Sequence, residues 1–266
     1  MSDVPSVTPS IGARRAPLCV SVIALFPEIV EANVAVGITG RARERDLWRF
    51  RAFQLRDYAF DVRKTVDGRP AGGGPGMVLM QEPLARATAA AKAWHAEQND
   101  YPTKVVLLSP DGERFSQPLA TRFASETNWI FVAGRYEGID QRYIDGHVDE
   151  TLSIGDYVIS GGELAAAVVI DAMVRLLPGA LGDAQSSVTE SFSAGLLDWP
   201  QYALTNAAGN ADIPAVLLGG NHAAIDRWRR DRAIEKTLSR RPDLLRQAQS
   251  NGLLDKKDEK YLATLK

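Results

Sequence analysis

The chain has 266 residues, of which 45% are hydrophobic and 24% are charged, with 22 glycines and 14 prolines. This composition is ordinary for a globular protein and excludes collagen-like, coiled-coil and wholly disordered chains. The net charge is −2, and the longest apolar stretch, residues 164–173, is far shorter than the roughly 20 residues that a membrane span needs. We therefore expect one large domain or two modest ones, and no membrane partner.

The first 17 residues are polar, contain proline and serine, and include no apolar segment. They are predicted to form a disordered tail rather than a secretory signal. A single cysteine, Cys19, excludes an internal disulfide and fits a reducing cytoplasm, which is the expected location. Because Cys19 lies in an apolar run, it is predicted to be a buried strand residue rather than a catalytic thiol.

Short apolar runs alternate with helical patterns through the first two thirds of the chain. Strands are predicted at residues 18–25, 47–55, 104–108, 129–133 and 148–154. Helices are predicted from about residue 28, at 82–97 and at 163–177. This alternation indicates an α/β fold with a largely parallel sheet. Ligands of such sheets bind in loops beyond the carboxyl ends of the strands, where the glycine-rich connections at 68–77, 109–116 and 153–163 lie.

The last third of the chain has a different pattern. Pro178 and Gly179 end the preceding helix, and the small, polar residues that follow predict a linker at 181–191. Residues 221–241 carry an apolar stripe at helical spacing, and a further helix begins with proline in its first turn. We therefore expect a small all-helical domain over residues 192–266.

Positive charge is concentrated in two segments. Residues 41–64 and 226–246 each contain eight Lys and Arg against four acidic residues, whereas residues 135–163 contain two bases and seven acids. The basic segments are interleaved with the aromatic residues Trp48, Phe50, Phe53 and Trp228. Such a pattern suits a phosphate backbone with bases stacked nearby, although charge alone slightly favours two solvent-exposed faces.

Two common nucleotide-binding motifs are excluded. The loop at 68–77 lacks the Lys-Ser/Thr pair of a phosphate-binding loop, which leaves a flexible loop or a lid as alternatives. The segment AGRYEGID, which begins at Ala133, lacks the Gly-x-Gly-x-x-Gly spacing of NAD sites. Gly161 and Gly162 open a helix directly after a strand-like segment. Their backbone donors would bind an adenine edge or ribose, or the pair simply makes a tight turn.

A metal site is not predicted. His95 and Glu97 are similar to half of a zinc deaminase signature, but the Pro-Cys-x-x-Cys half does not follow.

An ordered set of short strings runs through the chain: FPE, TGRA, KTVDGRPAGGGPGM, LLSPDGERFSQ, GRYEGIDQR, SIGDYVISGGELAA, DAMVRLLPG and LLDWPQY, followed by the GGNHxxIxxWR run. In order and spacing these strings resemble the bacterial tRNA (guanine-N1)-methyltransferases, the anticodon-loop members of the SPOUT class. The resemblance extends from about residue 18 to residue 246, which is nearly the whole chain.

The resemblance implies a domain at 18–180 that contains a deep trefoil knot, binds S-adenosylmethionine and is joined by the linker to a helical tRNA-binding domain. It also implies an obligate homodimer, with tRNA as the substrate. The methyl group would go to N-1 of the guanosine just 3′ of the anticodon. Whether Mg²⁺ assists in removing the proton is left open.

Carried over position by position, the resemblance implies a cofactor pocket made by three loops. Its residues are Leu108, Ser109 and Pro110 from the first loop, Gly134, Tyr136 and Glu137 from the second, and Ile154, Gly155, Tyr157, Ile159, Gly161 and Gly162 from the third. Arg175 matches the catalytic arginine of the family. Because N-1 of guanine carries a proton, a base must remove it while a cation such as Arg175 stabilises the charge that grows on the neighbouring oxygen.

The candidate base departs from the family pattern. Where the family has an aspartate before Ser-Phe, this chain has Glu190 before Ser191. Glutamate keeps the carboxylate but is one methylene longer, and misplacement by about 1 Å can cost on the order of 100-fold in rate. Asp198 is a weaker candidate. In the dimer implied by the resemblance, Glu190 and the C-terminal domain of one subunit complete the pocket of the other.

Further departures concern substrate binding. Ala165 replaces the usual proline, and the sequence after Tyr202 lacks the arginine that is usual there. The candidate phosphate contacts are Arg41, Lys64, Arg69, Arg227, Arg229 and Arg230.

Two alternatives remain open on the sequence alone. One is a SPOUT methyltransferase for another RNA site, which should lack the linker carboxylate and the C-terminal helical domain. The other is a catalytically impaired tRNA-binding protein, suggested by Glu190 and by the missing arginine.

Overall fold

The structure, a computed structural model, describes residues 16–126, 128–182, 190–204 and 212–265. The described residues up to 182 belong to one compact unit and those from 190 onward belong to a second. All but the last two residues of the predicted tail lie outside the described residues, and the predicted linker is described only at its two ends.

The first unit is built on a five-stranded sheet in which all four strand pairs are parallel. The strands in chain order are β1 (Leu18–Ala24), β2 (Trp48–Gln54), β3 (Asp67–Gly68), β4 (Val78–Leu79), β5 (Thr103–Arg114), β6 (Asn128–Ala133) and β7 (Glu150–Ser153). The sheet has the order β2-β1-β6-β5-β7, and β3 forms a separate antiparallel pair with β4.

Helices connect most of these strands, and one more follows the last strand. They are α1 (Pro27–Val34), α2 (Gly37–Glu44), α3 (Gln81–Gln98), α4 (Gln117–Ser125), α5 (Gln141–His147) and α6 (Gly162–Val174), with a short 3-10 helix at Leu55–Tyr58. The strands and helices predicted for this unit are all present, with bounds that differ by a few residues outside β5.

Hydrophobic cores lie on both faces of the sheet. Alternate side chains of a strand point to opposite faces, so Val22 packs in a core with α1, α2, α4 and α6, whereas Ile23 packs with α3 and α5. Every residue of β1 is buried, as expected for a parallel sheet that is covered on both sides. The predicted α/β class with a largely parallel sheet is therefore confirmed, whereas the trefoil knot stays a prediction.

One predicted loop is partly wrong. The segment at 109–116 was expected to be a connection, but β5 continues to Arg114. The strand shifts register after Leu108 and pairs with β7 again at Glu113, so residues 109–112 leave the ladder. Gly112 permits this path because a Cβ there would lie 2.3 Å from the backbone nitrogen of Leu152.

Helices α2, α4 and α5 have no counterpart in the sequence prediction. Each has nine residues or fewer, which is too short for a clear hydrophobic period. Tertiary packing stabilises them instead, since Phe123 of α4 and Tyr143 of α5 are fully buried.

The stacking surface, which was the less favoured alternative for the basic segments, is contradicted at three of its four aromatic residues. Trp48, Phe50 and Phe53 are buried in the two cores, and the Trp48 indole donates to the Thr39 carbonyl oxygen at 2.9 Å. Their alternation with arginines reflects a strand whose successive side chains point to opposite faces. Of the four, only Trp228 is partly exposed.

Regular structure in the described part of the second unit is helical. The helices are α7 (Ala215–Leu218), α8 (His222–Arg240), α9 (Pro242–Ser250) and α10 (Lys256–Thr264). The predicted helix at 221–241 corresponds to α8, and the predicted helix that begins with proline corresponds to α9, whereas α10 was not predicted. A small core includes Ile234, Leu245 and Leu262.

Asp258 organises the second unit. This buried carboxylate accepts hydrogen bonds from the Asp255 amide at the start of α10 at 3.2 Å, from Arg227 at 2.9 Å and from Arg230 at 3.0 Å. Arg227 also pairs with Asp231. Two of the candidate phosphate contacts, Arg227 and Arg230, therefore hold α8 against α10. Their positive charge is accounted for by this ion pairing inside the unit.

None of the described helices is long and apolar enough to cross a membrane. Within the described residues, no group of three or more His, Cys, Asp and Glu side chains could hold a metal ion.

His95 and Cys19 are both buried core residues, as predicted for Cys19. The His95 Nε2 lies 3.0 Å from the Ser21 Oγ, whereas its Nδ1 has no hydrogen-bond partner within the described residues. Burial lowers the pKa of His95 from 6.5 to about 4. The neutral imidazole is therefore the form that the folded protein accommodates.

This pKa predicts an acid-sensitive core. Since His95 binds a proton near pH 6.5 when unfolded but only near pH 4 when folded, its contribution is complete above pH 6.5 and is lost as the pH falls toward 4. Between pH 7 and about 4.5, we expect the wild type to lose about 1–3 kcal/mol more unfolding free energy than His95→Gln. Urea unfolding at both pH values measures this difference, and an identical pH dependence of the two proteins would contradict it.

Candidate functional site

A cavity of about 420 Å³ opens at the carboxyl ends of β6 and β7, beside the point where β5 shifts register after Leu108. Three segments, at 107–111, 134–139 and 152–162, form most of its wall. The volume is suited to a small organic ligand. Its position at the ends of parallel strands is the one expected for a ligand in this class of fold.

All twelve residues of the predicted cofactor pocket line this one cavity. The structure therefore brings together three loops that are separated in the sequence, although the binding of a cofactor by these residues stays a prediction. The cavity also contains lining residues that were not predicted: Leu107, Asp111, Arg135, Gly138, Ile139, Ile144, Leu152, Ser153, Val158, Ser160 and Ala165. Most adjoin predicted residues, but Ile144 and Ala165 belong to helices, and only the fold reveals their position.

The second and third loops meet at Gly162. Its amide donates to the Gly134 carbonyl oxygen at 2.9 Å. A Cβ on Gly162 would lie 2.7 Å from the Ala133 Cα and 2.9 Å from the Gly134 nitrogen, so only glycine fits there. Of the two alternatives for this glycine pair, the tight turn is therefore supported, because the protein already uses the Gly162 amide to close it.

The glycine-rich loop at 68–77 ends beside the second cavity loop. The Glu137 amide donates to the Met77 carbonyl oxygen at 3.0 Å. A Cβ on Gly76 would lie 2.3 Å from the Glu137 Oε1, and the φ of Gly76 is +78°. The positive φ favours glycine at this position, where the end of the loop lies against a residue that lines the cavity.

Three charged side chains line the cavity: Asp111, Arg135 and Glu137. Arg135 forms an ion pair with Glu163, whose carboxylate is 1% exposed, at a distance of 2.9 Å. Glu163, which pairs with Arg135, is not among the lining residues. The carboxylates of Asp111 and Glu137 therefore dominate the charge that faces a ligand.

The two predicted catalytic residues lie in different units. Arg175 immediately follows the last residue of α6 and is half-buried. Glu190 is in the second unit, where its carbonyl oxygen accepts a hydrogen bond from the Ser193 hydroxyl. Neither is among the cavity-lining residues, so their catalytic roles stay predictions. The weaker candidate, Asp198, pairs with Lys236 at 3.4 Å.

Known sequences match this chain over most of its length. The sequence model of a family described as tRNA (Guanine-1)-methyltransferase TrmD matches residues 18–247. The chain belongs to this family. The match includes all three cavity loops, Arg175 and Glu190, and it ends before α10.

Individual members of the tRNA (guanine-1)-methyltransferase family are also similar. A protein named tRNA (guanine-N(1)-)-methyltransferase from Polynucleobacter asymbioticus is 48% identical over 244 residues, which cover 92% of this chain and 98% of the relative. The proteins of that name from Bordetella pertussis and Burkholderia ambifaria are 49% and 50% identical, over 92% of this chain and 96% and 92% of their own lengths.

The contact at Gly162 makes a prediction about stability. In Gly162→Ala, the new methyl group would overlap the backbone of β6, and we expect the free energy of unfolding to fall by about 1–3 kcal/mol. Urea unfolding measures the change. The matched control is Gly146→Ala in α5, where a Cβ meets nothing within 4 Å and alanine should stabilise the helix by up to about 1 kcal/mol. Equal stabilities of the two variants would contradict the steric argument.

Proposed function

We propose that this protein transfers a methyl group from S-adenosylmethionine to N-1 of the guanosine just 3′ of the anticodon in tRNA. Family membership supports methyl transfer to a tRNA guanine, the activity for which the matching family and relatives are named. The observation that carries the finer proposal is the single cavity around which all twelve residues of the expected cofactor pocket lie.

The cavity fits S-adenosylmethionine in size and chemistry. Its volume of about 420 Å³ accommodates a nucleoside with an amino-acid chain. Leu108, Ile154 and Ile159 offer apolar contact to an adenine ring, while Asp111 and Glu137 suit a ligand that carries a sulfonium and an ammonium charge. When bound, this cofactor supplies an electrophilic methyl group.

The remaining chemistry falls to the chain itself. The N-1 atom of guanine becomes nucleophilic only when its proton is removed, and the Glu190 carboxylate is the group proposed to accept it. Negative charge then grows on the guanine oxygen. The Arg175 guanidinium is proposed to stabilise that charge, because its planar donors suit an oxygen acceptor.

The proposal includes a homodimer with a trefoil knot within residues 18–180. Leu164 and Val168 lie one turn apart on α6, and the side chain of each is 50% exposed. Phe26, just before α1, is also exposed, and α1 packs on α6. A second copy of the chain that covered these apolar side chains would remove them from water. The tight backbone contacts at Gly112 and Gly162 are compatible with a knot in this region.

The second unit is proposed to bind tRNA, with residues 181–191 as the linker and 192–266 as the domain. Arg229 lies over the Trp199 ring at 5.1 Å, and the Tyr202 and Trp228 rings are 6.2 Å apart. Arginine and aromatic side chains in such a group are suited to unstacked bases and phosphates. A tRNA substrate also supports the cytoplasm as the place of action.

A single-turnover methylation assay tests this function. With S-adenosylmethionine, we expect the protein to methylate a tRNA transcript that carries guanosine after the anticodon, and not a matched transcript with adenosine there. Mass spectrometry of the digested RNA identifies the product as 1-methylguanosine. Methylation of both transcripts would favour a different RNA site, whereas tRNA binding without methylation would favour the impaired binding protein.

The same assay tests the proposed base. Glu190→Gln removes the proton acceptor and should slow methyl transfer by about 10²–10⁴-fold. Glu190→Asp keeps the carboxylate at the length usual in the family and should raise the rate above that of the wild type. Glu97→Gln, an exposed position on α3, is the matched control and should leave the rate unchanged. A fully active Glu190→Gln variant would remove the assignment.

A further inference from the structure

Arg135 and Glu163 form a buried ion pair at the wall of the cavity. The Arg135 Nε donates to the two carboxylate oxygens of Glu163 at 3.1 and 2.9 Å. The side chains are 17% and 1% exposed, respectively. A carboxylate with so little solvent must be paired, because an isolated buried charge is strongly unfavourable. Glu163 therefore depends on Arg135, and Arg135 lines the cavity.

The pair also connects three separate segments. The Glu163 Oε1 accepts a hydrogen bond from the Phe26 amide at 3.3 Å. Arg135 donates to the Ser160 carbonyl oxygen at 3.1 Å and lies over the Phe26 ring at 4.7 Å. A Cβ on Gly161 would lie 2.1 Å from the Arg135 Nε, so the third loop is shaped around this guanidinium.

The charge of Arg135 matters because of what else faces the ligand. Among the described residues that line the cavity, Arg135 is the only cation, and Asp111 and Glu137 are the only anions. An unpaired guanidinium would oppose a positively charged ligand. Glu163 neutralises the Arg135 guanidinium, although Glu163 does not itself line the cavity. The electrostatic potential inside the cavity therefore stays negative, because of Asp111 and Glu137.

We propose that Glu163 is a positioning residue that cancels the charge of Arg135 and thereby makes the pocket prefer a sulfonium donor over its neutral thioether product. This inference rests on the proposed function. S-adenosylmethionine carries one more positive charge than S-adenosylhomocysteine, and otherwise the two differ by one methyl group. Glu163 acts through Arg135 and does not itself line the cavity. Its effect should therefore be seen in the ratio of the two affinities.

Calorimetric titration of the full-length protein with both compounds tests this inference. In Glu163→Gln, we expect the affinity for S-adenosylmethionine to fall roughly tenfold further than that for S-adenosylhomocysteine. A factor of this size corresponds to a unit charge about 10 Å away at an effective dielectric constant of about 20. The double variant Arg135→Gln/Glu163→Gln removes both charges and should return the ratio to the wild-type value, even if both affinities are lower.

Two further variants separate charge from packing. Glu163→Asp keeps the charge but shortens the side chain, so it should weaken both compounds alike and leave the ratio unchanged. Glu163→Ala removes the same charge without a polar replacement and should shift the ratio in the same direction as Glu163→Gln, so it tests the inference if Glu163→Gln does not fold.

An unchanged ratio in folded Glu163→Gln would overturn the inference and leave the pair with a purely structural role. A wild-type protein that binds neither compound would refute the proposed function and this inference with it. Binding of both by the wild type together with an unchanged ratio in Glu163→Gln would refute only the inference.

Discussion

The close approach of α6 to the end of β6 is the constraint on which the cavity depends. Gly162, the first residue of α6, lies against Ala133 and Gly134 with no space for a side chain. Its amide closes the contact by donating to the Gly134 carbonyl oxygen. The second and third loops are therefore held together by backbone, which side-chain motion cannot relax. A wall formed in this way is already shaped before any ligand arrives.

Electrostatics adds a second level of organisation to the same wall. The Arg135 and Glu163 pair joins the two loops to the turn between β1 and α1 at Phe26. Buried ion pairs contribute little net stability, because the cost of desolvation offsets the attraction. Such pairs instead fix geometry, because each charged side chain must stay beside its partner. At this wall, the geometry also decides which charges face the cavity.

The second unit shows why positive charge alone is a weak guide to nucleic-acid contacts. Arg227 and Arg230 belong to the strongly basic stretch of α8, yet both bind the buried Asp258 carboxylate. Their charge is used within the unit, whereas Arg229 lies over the Trp199 ring. The proposed interaction with tRNA thus involves a smaller set of side chains than the sequence indicates.

The sequence by itself determined the features that depend on local patterns. Apolar runs of strand length alternating with helical periods specified the parallel sheet, and two of the predicted glycine-rich connections, at 109–116 and 153–163, overlap the wall of the cavity. The pocket of three loops was predicted from the resemblance to the family. Only the tertiary structure decided features that join distant residues. These include the continuation of β5 beside β7, the burial of Trp48, the engagement of Arg230 by Asp258 and the pairing of Arg135 with Glu163. The physical reason is that burial and pairing depend on which surfaces meet in space, and the local sequence around a residue does not specify those surfaces.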